Sequence, residues 1–157
     1  MSTLQEAVPA VERAVSLLGG QKTLKRKVLT VMDAHELLLA GIPSSALLHL
    51  VSGVSGLGIP DMVEKALGIS VRTLQRRKKD KDQDTILTTD QGSRVWKLAE
   101  ILGRAEATLG SREAAEEWMV KPAIGLDRRR PIDLMSTSAG VEMVETYLTQ
   151  IEYGVYV

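Results

Sequence analysis

Apolar residues recur at spacings of three and four along most of this 157-residue chain, and no stretch reads as a strand, which predicts helices throughout. The first such run, Val8, Val11, Val15 and Leu18, stops at Gly19-Gly20. Asp33 with Glu36 three residues on forms a capping-box-like start for a short helix that Gly41 and Pro43 end. Another helix begins near Ser44, carries Ala46, Leu47, Leu50 and Val51 on one side, and dissolves in Gly53, Gly56 and Gly58. Thr88 with Gln91 predicts a capped long helix bearing Val95, Leu98, Leu102, Ala105 and Leu109, closed by Gly110. Ser111 caps the next, in which Ala114, Ala115, Trp118 and Met119 face inward until Pro122. Pro131 to Leu134 reads as a single turn, and Ser138 caps a last helix bearing Val141, Val144, Leu148 and Ile151.

Between positions 59 and 79 the pattern is more specific. Pro60 suits a first helical turn, Val63, Ala66 and Leu67 form its buried stripe, and Gly68 turns the chain. Ile69 plugs the corner and Ser70 caps a second short helix, so the pair is a helix-turn-helix. In the second helix Leu74 points at the core, which leaves Arg72, Thr73, Gln75, Arg76 and Arg77 outward. There Arg can read guanine edges and Gln adenine in a major groove, while Lys78, Lys79 and Lys81 meet phosphate.

Composition narrows the partners and the chemistry. Phe is absent and aromatics make up 3% of the chain, so the core is aliphatic, as helix packing favours. The absence of Cys excludes disulfides and thiolate metal sites and points to a reducing cytoplasm; no leader or membrane span is visible. Net charge is zero, but residues 1–80 carry +4 and residues 81–157 carry −4, a hint of a nucleic-acid face in the first half and a different partner for the second. The basic knot Lys22, Lys25, Arg26 and Lys27 reads as a solvated linker. His35 and His49 are separated by a predicted helix break, and Gly53 to Gly58 lacks the preceding strand a dinucleotide fingerprint needs. No catalytic set, metal site or cofactor is therefore expected, and the enzyme class is set aside. The polar break 80–84 divides the chain, giving an extension with one helix (1–32), a DNA-binding unit (33–84) and a C-terminal unit (85–157).

The end of the chain carries its own signal. Gly154 releases the last helix into an apolar strip, Val155, Tyr156 and Val157, whose carboxylate could be captured by backbone N–H groups or an arginine; the alternative is that the strip packs on its own surface.

The ordered set Ser70-Val71-Arg72-Thr73-Leu74-Gln75-Arg76-Arg77, Ser93-Arg94, Trp118, Pro122, Leu126, Arg130-Pro131-Ile132-Asp133-Leu134, Gly140 and Ile151-Glu152-Tyr153-Gly154 resembles the Xre/MbcA/ParS antitoxins. The resemblance runs from about Asp33 to Val157 and departs where Leu109 replaces a common Phe and where Asp127-Arg128-Arg129 fills a loop that is often glycine-rich. It implies an antitoxin of a type II toxin-antitoxin system that binds a RES-domain, NAD-consuming toxin and represses its own operon as a homodimer on operator DNA. By the same resemblance Tyr153, Gly154, Val155, Tyr156 and Val157 would enter or cover the toxin's cleft. A free-standing helix-turn-helix regulator whose C-terminal half only dimerises is the alternative.

Overall fold

The computed structural model describes residues 3–54, 60–79 and 85–154. In chain order these form α1 (Thr3–Leu17), α2 (Gly20–Leu24), α3 (Val31–Ala40), α4 (Ser44–Gly53), α5 (Pro60–Leu67), α6 (Val71–Lys79), α7 (Thr89–Leu109), α8 (Arg112–Met119) and α9 (Ser138–Glu152). Two single 3-10 turns, η1 (Ile124–Leu126) and η2 (Pro131–Leu134), lie between α8 and α9. The all-α class expected from the spacing is the class observed. Among the described residues extended pairing is limited to two isolated bridges, Pro43 with Ile86 and Ala123 with Arg129.

The chain is built around α7. Its capping box forms as expected: the Gln91 N–H donates to the Thr88 hydroxyl at 3.1 Å and the Thr88 N–H to the Gln91 side chain at 3.2 Å. Gly110 ends it in a left-handed conformation with φ 98°, its N–H reaching the Glu106 carbonyl at 2.9 Å. The predicted stripe of Val95, Leu98, Leu102 and Ala105 is buried, and so are Trp96, Ala99 and Ile101 on its flanks. A helix buried on several sides needs neighbours on several sides, and α1, α3, α5, α8 and α9 all pack against it. Each of the larger aliphatic residues so buried contributes about 1.5–3 kcal/mol.

α1 lies closest to this pillar. A Cβ on Gly103 would sit 2.8 Å from the Arg13 Cβ, so glycine in mid-helix is what lets the two backbones approach. Val11, Ala14, Leu17 and Leu18 are buried along the contact, and the His49 ring Nδ1, 3.2 Å from the Leu17 carbonyl, ties α4 to the end of α1.

Three local expectations are corrected. The cap of α3 is Thr30 and not Asp33: the Asp33 N–H donates to the Thr30 hydroxyl at 3.0 Å while the Asp33 carboxylate accepts from the Thr30 and Leu29 N–H groups at 3.1 and 2.9 Å. An aspartate can serve either end of a capping box, and here it takes the inner position, which lengthens the helix. α9 is capped by Thr137, whose hydroxyl accepts the Gly140 N–H at 2.9 Å, and not by Ser138. The basic knot is not wholly a linker, since Lys22 lies within α2 and Leu24 and Val28 are buried on either side of Lys25, which closes the turn at φ 59°. Five residues are too few for periodicity to reveal such a helix.

Candidate functional site

Two surfaces are built on this core. The first is the α5–α6 pair. The Gly68 N–H closes α5 on the Glu64 carbonyl at 3.0 Å, and Gly68 takes the left-handed conformation, φ +65°, that turns the chain. Ile69 plugs the corner at 2% exposure. Ser70 caps α6, accepting the Thr73 N–H at 3.1 Å, and the two hydroxyls lie 2.8 Å apart. Among the described side chains of α6, Leu74 is the buried one. Opposite it, Arg72, Thr73, Gln75, Arg76 and Lys79 line one open groove of about 360 Å³. Arg72, Gln75, Arg76 and Lys79 are exposed and Thr73 is half-buried. The Lys78 side chain and Lys81 lie outside the described residues.

Arg77 departs from the expected outward face. Its guanidinium donates to the Ser44 hydroxyl and, at 3.1 Å, to that of Thr85, and Ser44 is 3% exposed. Position 77 falls three residues after Leu74, on the inner flank of the same helix. Burial, with the neighbouring Arg76 charge, pushes the guanidinium below its usual pKa. Ser44 in turn donates to the Thr85 carbonyl at 2.8 Å. Arg77 therefore fastens α6 to the start of α4 and to the segment entering α7, and belongs to the support of the basic face.

The second surface is the C-terminal unit. In η2 the buried residues are Pro131, Ile132 and Leu134, and the turn packs on α5, α8 and α9. The Arg130 guanidinium forks onto Asp133 with two 2.8 Å hydrogen bonds, and Lys65 of α5 reaches the same carboxylate at 3.6 Å. The hydrogen bonds from Arg130 hold the Asp133 carboxyl below the ordinary carboxylate range, against the opposing effect of partial burial. A depressed folded pKa stabilises the fold above the unfolded value of about 3.9 and is lost as pH falls through the folded value. Asp133→Asn is thus expected to lower the urea midpoint at neutral pH, with the deficit from wild type closing below about pH 4; a deficit that stays constant to pH 3 would contradict this assignment.

α9 is held on α7 by polar ties. Lys97 lies 3.4 Å from Glu145 and 3.0 Å from Glu100, and Arg104 lies 2.9 Å from Glu152. Burial would lower the Lys97 pKa, but the two glutamates outweigh it and raise it. Trp118 stacks on Tyr147 with centroids 6.1 Å apart and an interplanar angle of 17°. Both are half-buried, so Trp118 sits at the rim of the core and not within it. Tyr153 closes α9 at 73% exposure, and Gly154 follows at φ +71°. Of the five expected partner-facing residues, Val155, Tyr156 and Val157 lie outside the described residues.

His35 and His49 are exposed and lie on different helices. Among the described residues no group of three or more His, Cys, Asp or Glu side chains is placed to hold a metal ion, and no helix is long and apolar enough to cross a membrane.

The geometry defines an all-α protein in which a glycine-turned helix pair with a basic outer face and a C-terminal helical unit share one core centred on α7. Residues 104–154 match the family described as the antitoxin Xre/MbcA/ParS C-terminal toxin-binding domain. The chain is also similar to an "Antitoxin Xre" of Pseudomonas putida, 33% identical over 97 residues, which cover 62% of this chain and 59% of that relative. A second "Antitoxin Xre", of Photorhabdus laumondii, is 26% identical over 122 residues, covering 77% of this chain and 79% of the relative. The stretch that matches the family contains α8, η1, η2 and α9.

Proposed function

We propose that this protein is the antitoxin of a type II toxin-antitoxin pair, that its C-terminal unit binds and obstructs a RES-domain, NAD-consuming toxin, and that α6 reads operator DNA to repress the shared operon. The observation that carries the reading is that the residues matched to a toxin-binding domain fold as one packed unit ending in an exposed Tyr153 and a left-handed Gly154. Tyr153 thus leaves an aromatic ring uncovered at the end of α9, where a partner can bury it. The NAD-consuming RES class rests on the resemblance.

The DNA half of the proposal is supported by the grouping of Arg72, Gln75, Arg76 and Lys79 on one exposed face of a capped helix, with Leu74 and Arg77 fixing its other side. Half-sites one helical turn apart call for a two-fold reader, so the DNA-bound form is a homodimer.

Deleting residues 154–157 tests the obstruction. The truncated protein is expected to protect NAD markedly less than the full chain when each is mixed with the purified product of the adjacent toxin gene. Protection at full potency would refute the role given to Gly154 to Val157.

A further inference from the structure

Ile124 is the most exposed large apolar side chain among the described residues, at 81%. It does not sit on a loose loop. The Leu126 and Arg128 N–H groups both donate to the Ala123 carbonyl, at 3.0 and 2.8 Å; the Ala123 N–H donates to the Arg129 carbonyl at 3.1 Å, and the Arg129 N–H to Leu126 at 3.0 Å. Leu126 is buried at 1% and anchors the ring from inside. Gly125 lies flat on Tyr147, where a Cβ would come within 2.5 Å of the ring, and Tyr147 is backed by the Trp118 stack. Asp127 and Arg128, at φ 53° and 64°, both adopt a conformation that side chains with a Cβ disfavour. A segment so fixed, strained and still displaying an isoleucine to water is preorganised for something other than its own stability.

The surroundings indicate what it meets. Lys121, Arg128 and Arg129 are exposed on the same loop. On α9, Met143, Tyr147 and Ile151 follow at intervals of four and share one face, with Met143 exposed and the other two half-buried. The apolar strip thus passes from Ile124 over Tyr147 along the helix whose end carries Tyr153. A second copy of the chain is disfavoured, because a two-fold contact at this loop would set its cations against their own equivalents. Nucleic-acid phosphate has no use for the isoleucine.

We propose that Ile124 is a preformed anchor that enters an apolar socket on the toxin, and that Lys121, Arg128 and Arg129 pair with carboxylates rimming that socket. This rests on the antitoxin reading and adds to it a contact separate from residues 153–157. Buried aliphatic and aromatic anchors ringed by polar contacts carry most of the energy of such interfaces, while rim charges act chiefly on the association rate.

The test compares the full chain with Ile124→Asp and with the double variant Arg128→Glu, Arg129→Glu, measuring binding to the purified product of the adjacent toxin gene, thermal unfolding, and binding to operator DNA. Ile124→Asp is expected to weaken toxin binding about 30-fold or more, and the charge reversal to slow association about 10-fold at low salt. Because Ile124 is exposed, Tm should hold, and DNA affinity should be unchanged. Undiminished toxin affinity in Ile124→Asp, with the wild-type chain binding normally, overturns the anchor and leaves the antitoxin reading standing. Loss of DNA binding with toxin binding intact overturns it in favour of a nucleic-acid contact. If the wild-type chain itself fails to bind the toxin, the antitoxin reading fails and the anchor with it.

Discussion

Gly140→Ala is expected to destabilise the fold by about 3 kcal/mol, the upper end for overpacking a filled site, and to lower Tm by about 6–12 °C for a chain of this length. A Cβ at this position would lie 2.0 Å from the Leu134 carbonyl oxygen and 2.9 Å from its carbon. Those are backbone atoms of η2, and they have little room to move: Pro131, Ile132 and Leu134 are buried, and Arg130 clamps Asp133 from the same turn. On the other side, the Gly140 N–H is committed to the Thr137 hydroxyl that starts α9. The alanine must therefore displace either the helix start or the turn. Gly53→Ala serves as the control, since nothing lies within 4 Å of a Cβ there, and it should leave Tm unchanged or slightly raised. An unaltered Tm in Gly140→Ala would mean that α9 and η2 do not approach as described.

The second large effect concerns α6. Arg72→Ala and Arg76→Ala are each expected to weaken operator binding by about 1–3 kcal/mol, roughly 5- to 150-fold apiece, and together to abolish discrimination between operator and scrambled duplex. Neutralisation of the toxin should survive, since both residues are exposed on a face remote in sequence from α9. Arg77→Ala should behave differently: its loss leaves the buried Ser44 hydroxyl without one partner, so stability falls before specificity does. Anisotropy titrations at two salt concentrations separate these cases, because a lost base contact changes discrimination while a lost phosphate contact changes the salt slope. Retained sequence-specific binding in the Arg72/Arg76 double variant would refute the assigned reading face.

Local chemistry is what the sequence made legible. The Thr88–Gln91 box, the turn through Gly68, Ile69 and Ser70, and the burial of Leu74 each depend on residues within one or two helical turns, and each forms as expected. Expectations failed where a distant residue decides. Arg77 turns inward because Ser44, 33 positions earlier, offers an acceptor. The packing of α1 along α7 is likewise a long-range contact, and the mid-helix Gly103 is the one local sign of that approach. Gly140 and the Arg130 to Leu134 motif stand out in the sequence as a pattern, but the reason both are needed, a carbonyl of one against the α-carbon of the other, appears only in three dimensions. Ile124 carries no such sign, because a lone isoleucine in a loop has no periodicity to mark it.

The proposed obstruction of an NAD-consuming toxin by the C-terminal unit is open to direct measurement. The most direct measurement titrates the full chain into the purified product of the adjacent toxin gene and follows NAD loss. NAD consumption is expected to fall in proportion to added protein and to stop at a fixed stoichiometric ratio. Consumption that continues unchanged in the presence of excess protein would contradict the account.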